Sequence, residues 1–335
     1  MHKKIPSRFN PEMFLVWCLT DKRFRHIYDF RCTNIELDQF DWKKMVAYAG
    51  RSRTLLYKFS QEALRIGKGH IDDSTLHTME SVIKRGNQDL KRLLKTLIVI
   101  KDLWDGQLEY YVIKTRDDRP TGDADALFIN KTDYESAISL ARRAGYRFIR
   151  EEPFKGWIDV NGGVKIELHH GVSWFGMKAL DKDFVASNPR KVKLMNFVFP
   201  TINMEAELAL ELVHWIIDIQ GLGPANFSSL VSIVEGDHAW KEILYQAKKY
   251  CWSSHLTYHL SVLNELCEYI YSYKFELPLK LPKVKIRPSF PFWTPMHIKI
   301  PFLVRKIFQD NSGFIKKSNM LQLALRRYMW TRMWQ

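Results

Sequence analysis

Apolar residues recur every three or four positions over most of the first hundred residues. One stripe contains Trp42, Met45, Val46 and Ala49, and a second contains Leu90, Leu93, Leu94 and Leu97. This spacing aligns the apolar side chains on one face of a helix. The sequence therefore predicts helices from about residue 11 to residue 100.

The pattern changes to short β-type segments after Leu108. "YYVIK" and "ADALFIN" predict two strands, and the turn "RDDRPTG" separates them. A helix follows in "DYESAISLARRAGY", with Asp133 as the predicted N-cap and Gly145 as the predicted stop. "RFIREE", "GWIDV" and "VKIELHH" predict three more strands, and "NGG" between the last two indicates a hairpin.

Helical periodicity returns from about Met204 to Phe275. Six prolines between residues 278 and 301 favour an extended linker, and a basic, aromatic helix is predicted at the C-terminus. We predict an α+β protein with a small mixed β-sheet flanked by helical regions. The predicted boundaries are 1–105 for a helical N-terminal region, 106–190 for the α/β core, 191–277 for a helical C-terminal region and 278–335 for the linker and tail.

The composition, 46% apolar and 26% charged, is typical of a folded globular protein. No apolar run approaches the roughly 18 residues of a transmembrane helix, so we expect no transmembrane segment. The N-terminus lacks the apolar segment of a signal peptide, and the four cysteines form no CxxC pair. These features favour reduced thiols and a cytoplasmic location.

The positive charge is concentrated in the tail. Residues 278–335 contain twelve Lys or Arg and one acid, giving +11, so the other 277 residues carry 14 − 11 = +3. Basic side chains interleaved with aromatic ones suit single-stranded RNA or an anionic membrane surface, which would place the protein at the membrane periphery. A helix docked through its aromatic residues, with its charges in water, is an equal alternative.

Two aspartates in "GDADALF" are the first candidates for chemistry. On a strand Asp123 and Asp125 would point the same way, about 7 Å apart, and would repel each other unless a cation lies between them. Mg²⁺ prefers carboxylate and water oxygens and often binds substrate phosphates as well. The alternative is an ordinary solvated turn, which is what an isolated DxD beside a glycine usually is.

The hairpin "GWIDVNGGVKIELHH" offers a third carboxylate. A three-residue loop at 161–163 would pair Trp157 with Glu167 and Asp159 with Lys165. Glu167 is the preferred third ligand; Asp159 is its rival, although an ion pair with Lys165 is the favoured role for Asp159. Strand-end hydrogen bonding is favoured for His169 and His170 over metal binding, and Trp157 and Trp174 would either pack in the core or stack on a base.

The order of lysine-bearing strand, DxD strand, helix and "IELHH" strand resembles the nucleotidyltransferase superfamily related to DNA polymerase β. It is most similar to an uncharacterised group of that superfamily with helical flanking regions. The resemblance covers residues from about 40 to 282. It implies that Lys114 lies on the lysine strand and that Asp123, Asp125 and Glu167 are the catalytic and metal-binding carboxylates.

One departure from the superfamily concerns phosphate binding. The usual Gly-Ser pair and its helix are missing, since seven residues, 116–122, separate Thr115 from Asp123. The triphosphate contacts would then come from Lys114, Thr115, Arg116 and Arg119. For Arg116 and Arg119, ion pairs with the neighbouring Asp117 and Asp118 are an equal alternative.

The resemblance implies a Mg²⁺-dependent transferase, with Mn²⁺ as the alternative ion. It would move a nucleoside monophosphate from an NTP, such as ATP, to a hydroxyl of RNA, protein or a small molecule and release pyrophosphate. The alternative is a catalytically inactive nucleotidyltransferase-like module that binds nucleic acid or an anionic surface through residues 278–335. The sequence leaves the choice of NTP, the acceptor and the oligomeric state open.

Overall fold

Nine α-helices, one short 3-10 helix at Lys68–His70 and nine strands are present in the part of the chain that the computed structural model describes. That part consists of residues 41–50, 53–115, 123–152, 155–160, 165–174, 177–217, 224–234, 238–271 and 274–284. The helices are α1 Trp42–Ala49, α2 Arg53–Gly67, α3 Asp73–Trp104, α4 Lys131–Arg143, α5 Lys182–Ala186, α6 Met204–Ile217, α7 Pro224–Val234, α8 Trp240–Lys249 and α9 Ser253–Tyr271. The strands are β1 Tyr111–Ile113, β2 Ala124–Phe128, β3 Arg147–Glu152, β4 Lys155–Asp159, β5 Lys165–His170, β6 Ser173–Trp174, β7 Met177–Lys178, β8 Arg190–Leu194 and β9 Phe197–Thr201.

Five of the strands form one mixed sheet in the order β1-β2-β5-β4-β3. β2 and β5 run parallel, and the other neighbouring pairs are antiparallel. The prediction of an α+β protein with a small mixed sheet is therefore confirmed. The hairpin register is also as predicted, since Trp157 pairs with Glu167 and Asp159 pairs with Lys165.

Helix α4 connects β2 to β3 and ends where the sequence indicated. Gly145 follows it with φ of +86°, a left-handed conformation that glycine adopts without steric cost. Its start is earlier than predicted, because Asn130 occupies the N-cap position and Asp133 lies in the first turn. A carboxylate in that first turn still interacts favourably with the helix dipole.

One face of the sheet packs on α3 and α4. Ala124, Ala126 and Phe128 of β2 point to this face, where they meet Leu93, Leu97, Ile100 and Trp104 of α3 and Tyr134, Ala137 and Ile138 of α4. The second half of α3 is thus part of the sheet's core. The strict alternation along β2 leaves the intervening aspartate on the opposite face.

The opposite face is covered by helices at the β1 end of the sheet. Tyr111, Ile113 and Leu127 are buried there in a second core that contains α1, α2 and α6 to α9. Away from β1, the same face carries the polar side chains of β5 and β4. The helices therefore leave the acidic part of this face partly open to solvent.

The antiparallel hairpin β8–β9 follows α5 in the chain and precedes α6. Its strand β9 contacts β1, and Leu194 and Phe199 are buried with the core between the sheet and α3. Residues 191–277 were predicted as a helical region, and this stretch begins with the hairpin. Among the described residues, no helix combines the length and the apolar character needed to cross a membrane.

Candidate metal and nucleotide site

The parallel pairing of β2 with β5 brings the predicted carboxylates together. Asp125 lies directly opposite Glu167 in the register, so both side chains project from the same face of the sheet. Asp123, the residue two positions earlier, accepts a hydrogen bond from the backbone N–H of Lys165 at 3.2 Å. Of the three carboxylates that the sequence singled out, Asp125 and Glu167 therefore lie on neighbouring strands, and Asp123 lies immediately before β2.

His169 completes this cluster. Its Nε2 lies 2.8 Å from Oδ1 of Asp125 and 3.7 Å from Oε2 of Glu167. One ligand atom from each of Asp125, Glu167 and His169 falls within 4.8 Å of the others. The side chains remain 25%, 33% and 22% exposed, respectively, so water or a substrate can reach them.

The sequence favoured strand-end hydrogen bonding for both histidines, and the structure separates their roles. His169 hydrogen-bonds Asp125 and in doing so joins the carboxylate cluster. His170 projects to the other face, where its ring lies 5.6 Å from that of Tyr134. The sequence did contain a signal for the position of His169. It lies two residues after Glu167, and residues i and i+2 of a strand share a face of the sheet.

The surroundings of Asp123 change the pKa of its carboxyl group. Burial raises its pKa above the ordinary value, and the negative charges of Glu167 and Asp125 raise it further. The backbone hydrogen bond from Lys165 and the charge of that lysine act in the opposite direction. The net direction is upward, with burial as the largest cause.

The end of β1 lies beside Asp125. The hydroxyl of Thr115 donates to the carbonyl of Ile113 at 3.1 Å and accepts from the backbone N–H of Asp125 at 3.2 Å. Lys114, the preceding residue, has φ of +53°, a left-handed conformation that is strained for a lysine. Lys114 was expected on the strand, but β1 ends at Ile113, the register partner of Asp125, and Lys114 and Thr115 follow it.

Strand β4, the other neighbour of β5, places Trp157 opposite Glu167. Lys165 Nζ lies 4.1 Å from the centroid of the Trp157 ring. Asp159 pairs with Lys165 and is two strands away from β2, which corresponds to a separation of about 10 Å. This distance favours Glu167 over Asp159 as the third carboxylate.

Three of the residues considered above cannot be placed in this geometry. Arg116 and Arg119 lie outside the described residues, as do residues 285–335 of the basic tail. The side chain of Trp174 is likewise outside the described part of the chain. Their predicted roles stay predictions.

The donor set fits a divalent cation. Asp125, Glu167 and His169 offer two carboxylates and one imidazole within reach of one ion, and their partial exposure leaves room for water or phosphate oxygens. Asp123 does not belong to this group of three, and its carboxylate accepts the hydrogen bond from the backbone of Lys165. The chain matches no protein-family model, and no curated protein or solved structure proves similar to it. The case for the site therefore rests on its own geometry.

Proposed function

We propose that this protein is a divalent-metal-dependent nucleotidyltransferase that moves a nucleoside monophosphate from an NTP to a hydroxyl group. The observation that carries the proposal is the parallel β2–β5 register, which sets Asp125 opposite Glu167 with Asp123 beside them. Carboxylates on neighbouring strands with partial solvent access are suited to holding a cation together with substrate phosphates.

Each residue of the site has a defined part in this proposal. Asp123, Asp125 and Glu167 would hold the cation, which neutralises charge on the triphosphate and lowers the pKa of the acceptor hydroxyl. Thr115 fixes the end of β1 against the backbone of Asp125. This contact would keep Lys114 within reach of the phosphates.

The reaction is an in-line displacement at the α-phosphorus. The acceptor hydroxyl oxygen forms a bond to that phosphorus, while the bond to the oxygen bridging the α- and β-phosphates breaks and pyrophosphate leaves. Glu167 accepts the proton of the hydroxyl. Because the protein forms no covalent bond to the substrate, positioning and charge neutralisation would supply most of the rate acceleration.

The test is transfer of label from each α-labelled NTP, with Mg²⁺ or Mn²⁺ and total RNA present. We expect label on RNA or on the protein itself with the wild type, and a loss of at least about 100-fold in the Asp123→Asn/Asp125→Asn variant, since electrostatic stabilisation is commonly worth that much. Asp102→Asn, an exposed acid on α3, is the matched control and should retain transfer. Turnover that is equal in all three proteins would contradict the proposal.

The rival function is a non-catalytic module that binds RNA or an anionic surface through the tail, favoured by its charge of +11. A chain ending at Val284 separates the two, because residues 285–335 are removed while the described core is kept intact. Leu279, Leu281 and Val284, which pack against the helical core, are retained. Tail-dependent RNA binding without transfer in the full chain would favour the rival.

A further inference from the structure

The imidazole of His169 lies beside two of the carboxylates proposed to hold the cation, Asp125 and Glu167. Its Nε2 lies 2.8 Å from Asp125 Oδ1 and 3.7 Å from Glu167 Oε2. Ligands at about 2.1 Å from an octahedral ion lie about 3.0 Å apart when they are adjacent. The distances from His169 to the two carboxylate oxygens, 2.8 Å and 3.7 Å, lie on either side of that value.

Regular sheet geometry supplies all three ligands. Glu167 and His169 are alternate residues of β5, and Asp125 is the register partner of Glu167 on β2. The backbone positions are therefore fixed by the hydrogen bonds of the sheet. Only side-chain rotation is needed for the three groups to converge on one ion.

The chemistry of the three ligands discriminates among cations. Mg²⁺ takes oxygen ligands and retains its waters, whereas an imidazole nitrogen suits first-row transition ions. A site with two carboxylates and one imidazole is thus better matched to Mn²⁺ than to Mg²⁺.

We propose that Asp125, Glu167 and His169 form a mixed nitrogen–oxygen site that binds Mn²⁺ in preference to Mg²⁺. The inference concerns the same site as the proposed function and rests on it for the role of the ion. Ion binding itself is independent of catalysis. An experiment can therefore contradict the Mn²⁺ site without contradicting the nucleotidyltransferase activity, and the converse also holds.

The first measurement is calorimetric titration of the full chain with MnCl₂ and with MgCl₂, without nucleotide. We expect Mn²⁺ to bind at least about tenfold more tightly than Mg²⁺, because Mg²⁺ prefers oxygen ligands and loses water reluctantly, whereas a first-row transition ion also accepts an imidazole nitrogen. In His169→Gln we expect the Mn²⁺ affinity to fall by at least about tenfold and the Mg²⁺ affinity to change by less than about threefold.

The matched control is His170→Gln, the neighbouring residue on the opposite face of the sheet. It should keep the wild-type preference for Mn²⁺. An unchanged ratio of affinities in His169→Gln would overturn the inference and leave His169 as a hydrogen-bonding partner of Asp125. Failure of Mn²⁺ to bind the wild type would overturn it as well.

A second measurement avoids any variant. Pulsed electron paramagnetic resonance on the wild-type protein with one equivalent of Mn²⁺ detects nitrogen coupled to the ion. We expect the modulation of one imidazole nitrogen, and its absence would contradict coordination by His169. Mn²⁺ binding with this signal but without NTP transfer would contradict the proposed function and support the metal site. NTP transfer without the nitrogen signal would support the proposed function and contradict coordination by His169.

Discussion

At the scale of single residues, the two aspartates of the DxD pair have different surroundings. Asp123 is held by the backbone of β5, with an upward-shifted pKa caused first by burial. Asp125 is held by His169. Although the sequence shows two equivalent carboxylates, the neighbouring strand gives each its own partner.

At Lys114 a single substitution tests the backbone and the side chain separately. The strained backbone affects stability, whereas the proposed phosphate contact affects NTP transfer. Lys114→Gly removes the side chain and suits φ of +53°. We expect the free energy of unfolding to stay unchanged or to rise by up to about 1 kcal/mol. We also expect NTP transfer to fall, which the labelled assay and urea unfolding would measure on the same preparation.

The matched control for this change is Asn188→Gly, a second left-handed position, with φ of +46°, in the segment between α5 and β8. It should transfer like the wild type and change the free energy of unfolding less than Lys114→Gly does, because asparagine tolerates the left-handed region better than lysine. Equal transfer in all three proteins would remove Lys114 from the proposed phosphate site.

At the scale of elements, α2 and α3 pack through a glycine. Gly86 lies in the interior of α3, where an alanine would ordinarily be preferred by about 1 kcal/mol. A Cβ at this position would lie 2.1 Å from Cδ2 of the Tyr57 ring. Tyr57 is buried on α2, and its hydroxyl donates to Asn87 at 2.8 Å.

We therefore predict that Gly86→Ala destabilises the protein by about 1–3 kcal/mol, because the ring must move and its hydrogen bond is disturbed. Urea unfolding followed by circular dichroism measures the change. Gly69→Ala is the control, since a Cβ there meets nothing within 4 Å, and it should be neutral. A gain in stability for Gly86→Ala would show that helix propensity outweighs the steric clash.

At the scale of the whole molecule, Asp181 ties the segment that follows the sheet to the C-terminal helices. It accepts hydrogen bonds from Tyr250 at 2.5 Å, Lys249 at 2.6 Å and Gln246 at 3.2 Å. Burial by itself would raise the pKa of Asp181, but these hydrogen bonds outweigh it and hold the pKa below its ordinary value. The charged carboxylate is therefore the form that stabilises the fold.

This direction fixes how stability depends on pH. A carboxyl with a lowered pKa in the folded state contributes fully above its unfolded-state value of about 3.9, and the contribution is lost as the pH falls through the folded-state value. We expect Asp181→Asn to lower the free energy of unfolding by about 1–3 kcal/mol at pH 7, with the difference narrowing as the pH is lowered from 5 toward 2.

We would measure urea unfolding of the wild type and of Asp181→Asn between pH 7 and pH 2. The matched control is Asp102→Asn on α3, whose free energy of unfolding at pH 7 should be close to that of the wild type. A difference between wild type and Asp181→Asn that is constant from pH 7 to pH 2 would show that the side chain acts through its shape rather than its charge.

The sequence by itself determined the local features of this protein. Periods of two and of 3.6 residues located β2, α4, β4 and β5, and the hairpin register followed from the length of the loop at 161–163. The same alternation put Asp123 and Asp125 on one face and Glu167 on the corresponding face of its own strand. These properties depend on residues close together in the chain.

Tertiary structure alone decided which strands became neighbours. The parallel pairing of β2 with β5 joins residues about 40 positions apart, and it is this pairing that sets Asp125 opposite Glu167. It also brings His169 to Asp125, a contact that the shared face of Glu167 and His169 allows but does not determine. Contacts between such distant segments depend on how whole elements pack. The periodicity of one strand predicts which of its residues are buried, but it does not predict which other strand will pair with it.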